Sequence, residues 1–87
     1  MARLDMTAAD TGSSTRIDEA LFQRGIASST GRDGEPDLIA AHKWFNLAAT
    51  RGHREARLCR QEMAEMMSGE EILKAQKSAR EWMKQAN

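Results

Sequence analysis

The sequence predicts an all-α fold of four helices arranged as two antiparallel helix pairs, stacked as a short α-solenoid, and three observations carry that expectation. Strand-forming bulk is scarce: Val and Tyr are absent, and the bulky β-branched side chains are Ile17, Ile26, Ile39 and Ile72. Apolar residues recur at spacings of three and four through most of the chain. The pattern also repeats. Trp44 and Trp82 stand 38 residues apart, each three residues after an alanine (Ala41, Ala79), while Ala20 and Ala56 stand 36 apart, each two residues before a large apolar side chain (Phe22, Leu58). Self-similarity at this period marks helix pairs that stack on one another.

Taken in order, residues 1–14 read as a disordered tail, because Thr7 to Ser14 offers only Ala, Thr, Asp, Gly and Ser and nothing to bury. Residues 15–87 form the helical domain. The first helix is expected from about Arg16 to Ser29, capped by Thr15, with Asp18 and Glu19 in its first turn where acids suit the dipole. Its inner stripe is Ile17, Ala20 and Leu21, with Phe22 and Ile26 beside it. Gly25 costs about 1 kcal/mol relative to Ala in a helix, so its place mid-pattern points to the close approach of another helix. Thr30 to Glu35 is a turn, and Pro36 falls near the first position of a second helix, Asp37 to Thr50. Ala41, Trp44, Phe45, Leu47 and Ala48 make that helix apolar around most of its circumference, so it should be the most buried. Gly52 ends it. A third helix runs from about Arg54 to Met67, with Ala56, Cys59, Met63 and Met66 or Met67 inward and Leu58 alongside. A fourth runs from about Gly69 to Gln85, opened by the capping box Ser68-Gly69-Glu70-Glu71 and carrying Ile72, Ala75, Ala79, Trp82 and Ala86 at helical spacing.

With 87 residues the chain is one small domain with a thin core. Lys+Arg and Asp+Glu are 13 each, a balance that weighs against a highly charged nucleic-acid or membrane binder. The single cysteine, Cys59, closes no internal disulfide, no apolar run reaches the ~20 residues of a bilayer span, and Asp5 interrupts the start where a secretory leader would be apolar. The expected location is the cytoplasm.

The run Ala41-x-x-Trp44-Phe45-x-x-Ala48-Ala49-x-x-Gly52-x-x-x-Ala56 resembles the Sel1-like repeat, a relative of the tetratricopeptide repeat, and the resemblance extends over about residues 17–84. Trp82 closes the second unit, which is degenerate, with Gln61 standing where Gly25 stands in the first. The resemblance implies a small bacterial member of an all-α family whose pattern residues pack helices and whose role is contact with other proteins. It carries no catalytic residue.

No G-x-S-x-G, H-E-x-x-H or P-loop spacing occurs, so no enzyme activity and no cofactor are expected. His42, His53 and Cys59 lack the spacing of a metal site, and the simpler reading is a surface His42, a turn His53 and a buried structural thiol. Arg51, Arg54, Arg57 and Arg60 form a basic stripe at the start of the third helix, followed by Glu62 and Glu65. Basic first and acidic last opposes the helix dipole. The simpler reading is that these arginines pair with acids of neighbouring helices or are simply solvated. The sharper ones give them an acidic partner protein or nucleic-acid phosphates, the latter weakened by Glu55 within the stripe. Met63, Met66 and Met67 either pack under the fourth helix or form an apolar rim for another chain. The expected function is a non-catalytic protein–protein interaction module, with a small nucleic-acid-binding regulator as the alternative. Two units are fewer than the three or so a repeat stack needs, which favours a homodimer or a tightly held partner.

Overall fold

The computed structural model describes residues 6–32 and 34–86, with side chains described from Ile17 onward. The chain is all-α, with helices α1 (Met6–Thr30), α2 (Leu38–Thr50), α3 (Arg54–Glu65) and α4 (Gly69–Ala86) and no strand among the described residues. Of the expected tail, residues 1–5 lie outside the described residues, and the backbone from Met6 onward belongs to α1, ahead of the expected cap at Thr15. Extending a helix already held at one end costs little per residue, and no proline interrupts this stretch.

α2 is the hub. It packs against α1, α3 and α4 in turn, whereas α3 and α4 scarcely touch each other. The third and fourth helices therefore do not form a close pair of their own. The inward residues of both, Ala56 on α3 and Ala75 and Ala79 on α4, are almost wholly buried. Every residue of α2 except Thr50 is at least partly shielded, in keeping with its apolar circumference.

The α1–α2 contact depends on a glycine. A Cβ at Gly25 would collide with the Phe45 ring, which is 1% exposed. That approach turns Leu21, Phe22 and Gly25 inward and leaves Ala20 exposed and Ile17 45% exposed, so the expected Ile17–Ala20–Leu21 stripe is rotated by a residue. Phe22 meets Phe45 with ring centroids 5.7 Å apart. Trp44 sits at the rim of this core. Its ring and that of Trp82 meet in a T-shaped arrangement, centroids 5.9 Å and planes 84° apart, and Arg24 Cζ and Lys43 Nζ lie 4.8 Å and 4.3 Å from the Trp44 centroid.

The helix ends follow local chemistry. Asp37 is the N-cap of α2 rather than its first residue, and its carboxylate accepts from the Ala40 N–H at 3.0 Å. Pro36 therefore lies just outside the helix. At the other end the His53 N–H donates to the Ala48 carbonyl and the Gly52 N–H to that of Ala49, the paired bonds of a Schellman motif, with Gly52 at φ +95 where a side chain would strain the backbone. α3 stops at Glu65, and Met66 is its C-cap. The capping box of α4 forms in both directions: the Ser68 N–H donates to Glu71 Oε1 at 2.9 Å, and the Glu71 N–H to Ser68 Oγ at 3.1 Å.

Gly25→Ala, which adds about 1 kcal/mol of stability at an open helix site, should here destabilise by about 1–3 kcal/mol in urea unfolding, because the methyl has no room against Phe45. Phe45→Ala should cost about 3–5 kcal/mol and more than Trp44→Ala, since the Phe45 ring is fully enclosed and Trp44 is not. A Gly25→Ala variant that melts above the wild type would show that the ring yields.

Candidate functional site

The four arginines expected to form one stripe are divided by the structure. Arg51 is the C-cap of α2, Arg54 is the first residue of α3, and both are exposed, as is Arg57 one turn on. Arg60 is half-buried and turns toward α2, donating from Nη1 to Asn46 Oδ1 at 3.2 Å. None of the four makes an ion pair with an acid among the described residues, so the pairing with neighbouring acids that the simplest reading supposed is not found there. The exposure of Arg51, Arg54 and Arg57 accords with the solvation that the same reading allowed, and Arg60 finds an amide. Further along α3, Glu62 and Glu65 are exposed as well.

The methionines are divided too. Met63 packs against the core and Met67 is half-buried, whereas Met66 is 59% exposed. Leu58, expected alongside the inner stripe, faces solvent at 60% exposure, since α3 turns Ala56 and Met63 toward the core and Leu58 lies roughly 140–160° away from them around the helix. On α4, Leu73 at 66% is the most exposed large apolar side chain. The repeat-signature positions are placed for packing: Ala41, Ala48 and Ala56 are fully buried, Phe45 nearly so, Ala49 is half-buried, and Trp44 meets Trp82.

His42 departs from expectation, whereas His53 lies in the turn between α2 and α3 as expected. His42 is not on the surface but 3% exposed, and its Nδ1 is buried with no hydrogen-bond partner. Burial, and secondarily the charge of Arg60, hold its pKa below the ordinary value. A histidine within an apolar run is the signal that could have placed it inside. His53 is the N-cap of α3. Its Nδ1 accepts from the Ala56 N–H at 3.1 Å and its Nε2 donates to Glu19 Oε1 at 2.9 Å, so a neutral ring with its proton on Nε2 serves both contacts. The ring also stacks on Phe22, 4.2 Å between centroids. This one side chain joins the start of α3 to α1. Histidine is not among the usual capping residues, which is why its role was not legible. Hydrogen bonds from Gln23 and then His53 hold the Glu19 carboxyl below its usual range. The Cys59 thiol is half-buried, and burial, then Glu62 and Glu55, push its pKa up, away from the reactive thiolate.

An open hollow of about 460 Å³ is lined by Glu35, Pro36, Asp37, Leu38, Ile39 and Glu71, none of them a residue singled out from the sequence as a site. Two of its three carboxylates are already engaged, Asp37 with the Ala40 N–H and Glu71 with the Ser68 N–H. Among the described residues no three His, Cys, Asp or Glu side chains gather in a group able to hold a metal ion.

The buried imidazole sets a pH dependence. The folded-state pKa of His42 lies below its unfolded value, so the unfolded chain binds the proton first and stability falls as pH drops through about 6.5. Glu19 is also depressed, and its contribution, present above about 4.5, is lost only at lower pH. The urea midpoint should therefore fall between about pH 7 and pH 5.5, and His42→Leu should flatten that fall while Glu19→Gln leaves it. An unchanged fall in His42→Leu would assign it to another group. No family model, no curated protein and no solved structure matches this chain.

Proposed function

We propose that this chain is a non-catalytic protein–protein interaction module, a short Sel1-like, tetratricopeptide-like helical stack working in the cytoplasm, with α3 and α4 each packed on α2. The carrying observation is the exposed face of α3, where Leu58 is more than half exposed one turn from Arg54 and next to Arg57, neither of which has an acidic partner among the described residues. Apolar side chains held in water next to unneutralised charge gain from a second protein surface that covers the one and pairs the other.

The repeat reading draws support from the fully buried alanines at 41, 48 and 56, which let backbones approach, and from the positive φ of Gly52, which turns the chain into α3. α3 and α4 each lean on α2 and scarcely touch one another, so the second unit is an open end of the stack. Open ends of repeat stacks are covered by a cap, a partner or a second copy. No helix of the described residues is long and apolar enough to cross a membrane. The exposed arginines also suit phosphates. Net charge zero, and Glu55, Glu62 and Glu65 on the same helix, make a nucleic-acid strand the poorer fit.

A tagged wild-type chain and a Leu58→Lys/Met66→Lys variant of matched melting temperature, each incubated with native extract, test the proposal. The wild type should retain a defined protein at near-stoichiometric yield and the variant should lose it. Equal retention by both, or retention only of DNA or RNA that elutes with moderate salt, would overturn it.

A further inference from the structure

We propose that the outer face of α3 is a self-complementary docking surface, on which the α3 of a second copy of this chain lies antiparallel across a two-fold axis near the middle of the helix. The inference rests on the interaction-module reading and names the occupant of the surface. Arg54, Leu58, Gln61 and Glu65 follow one another at spacings of four, three and four, which keeps them on one stripe, and all four are exposed. The stripe lies opposite Ala56, which is fully buried against the core.

Reversed end for end, this stripe matches itself. Arg54 comes opposite Glu65 of the second copy, Glu65 opposite its Arg54, and Leu58 opposite its Gln61, so that the two Leu58 side chains flank the axis about 4.5 Å apart along the helix direction. Isologous dimers need this property, since one patch must be its own complement. The helix dipole argues for the same geometry. Arg54 and Arg57 stand at the positive end of α3, and Glu62 and Glu65 at the negative end, so each charge is on the wrong end of its own helix. An antiparallel second helix brings opposite charges and the opposite dipole to both ends. Neither Arg54 nor Glu65 is used by an ion pair among the described residues.

Other occupants match less of the surface. An acidic peptide or a nucleic-acid strand would pair with Arg54 but also meet Glu65 on the same stripe, whereas a second copy pairs both. The contact is limited in strength. One 12-residue helix on another falls short of the ~1,200 Å² typical of a specific interface, and Glu55 and Glu62 share a flank on which each faces acids of the second copy. The expected dimer is weak, fast-exchanging and sensitive to salt.

Sedimentation equilibrium of the full chain, from about 10 μM to about 1 mM at low and at high salt, provides the test. The wild type should dimerise at low salt and dissociate as salt rises. Arg54→Glu and Glu65→Arg should each raise the dissociation constant on the order of tenfold, and the double variant, which exchanges the charges on both copies, should recover it. Each single change improves the match to the dipole of α3, so neither should lower the melting temperature, and loss of the dimer cannot be put down to loss of the fold. A wild type monomeric throughout, or a double variant no better than the singles, would overturn the α3 pairing. If such a monomer still retains a partner protein through Leu58, the interaction-module reading stands without it; a charge-rescued dimer with no retained partner leaves the pairing and removes the role in binding other proteins.

Discussion

The seating of the Phe45 ring against the backbone of Gly25 is the contact on which the remaining packing depends. It fixes how close α1 lies to α2 and which way α1 is rotated. That rotation brings Leu21 and Phe22 into the core, and Phe22 in turn supports the ring of His53. His53 then caps α3 while reaching back to Glu19, so the position of the third helix is tied to the first through a single imidazole. A chain this short has few large side chains to enclose, and among the described residues only Phe45 and Leu47 of these are fully buried. Stability must come from a small number of close contacts between alanine- and glycine-lined surfaces, where dispersion is strong because backbones are near.

The same economy explains why the functional candidates gather on α3. A 12-residue helix that presents Ala56 and Met63 to α2 has most of its circumference left over. On that remainder lie two exposed arginines, three exposed glutamates and Leu58. The zero net charge of the chain thus conceals a separation of sign along the sequence that centres on α3: residues 51–60 hold four Arg and one Glu, and residues 61–71 hold four Glu and no base. In a solvated helix such an order is mildly unfavourable, and it becomes favourable only when another surface supplies the opposite field.

His42 shows how a polar group enters a thin core. Its neutral ring occupies space on α2 that an aliphatic side chain could fill, with Nδ1 left unpartnered and Arg60 close enough to disfavour its charged form. Burial of this kind is tolerated by a neutral imidazole and opposed by a protonated one.

Much of this was legible in the sequence, for identifiable reasons. The absence of Val and Tyr, the apolar spacings and the capping box at Ser68 and Glu71 speak through local chemistry, so four helices, the heavy burial of α2, the close approach at Gly25 and the turn at Gly52 follow from residue types alone. Partner choice is not local. Whether α3 packs on α4 or on α2, whether Leu58 faces in or out, whether Arg60 finds an acid or Asn46, and whether His42 is wet or dry depend on how the helices are rotated and spaced. Those angles are set by steric fit between surfaces distant in sequence, the ring of Phe45 against Gly25 foremost, and a one-dimensional pattern of apolar residues contains the faces but not the angles at which they meet.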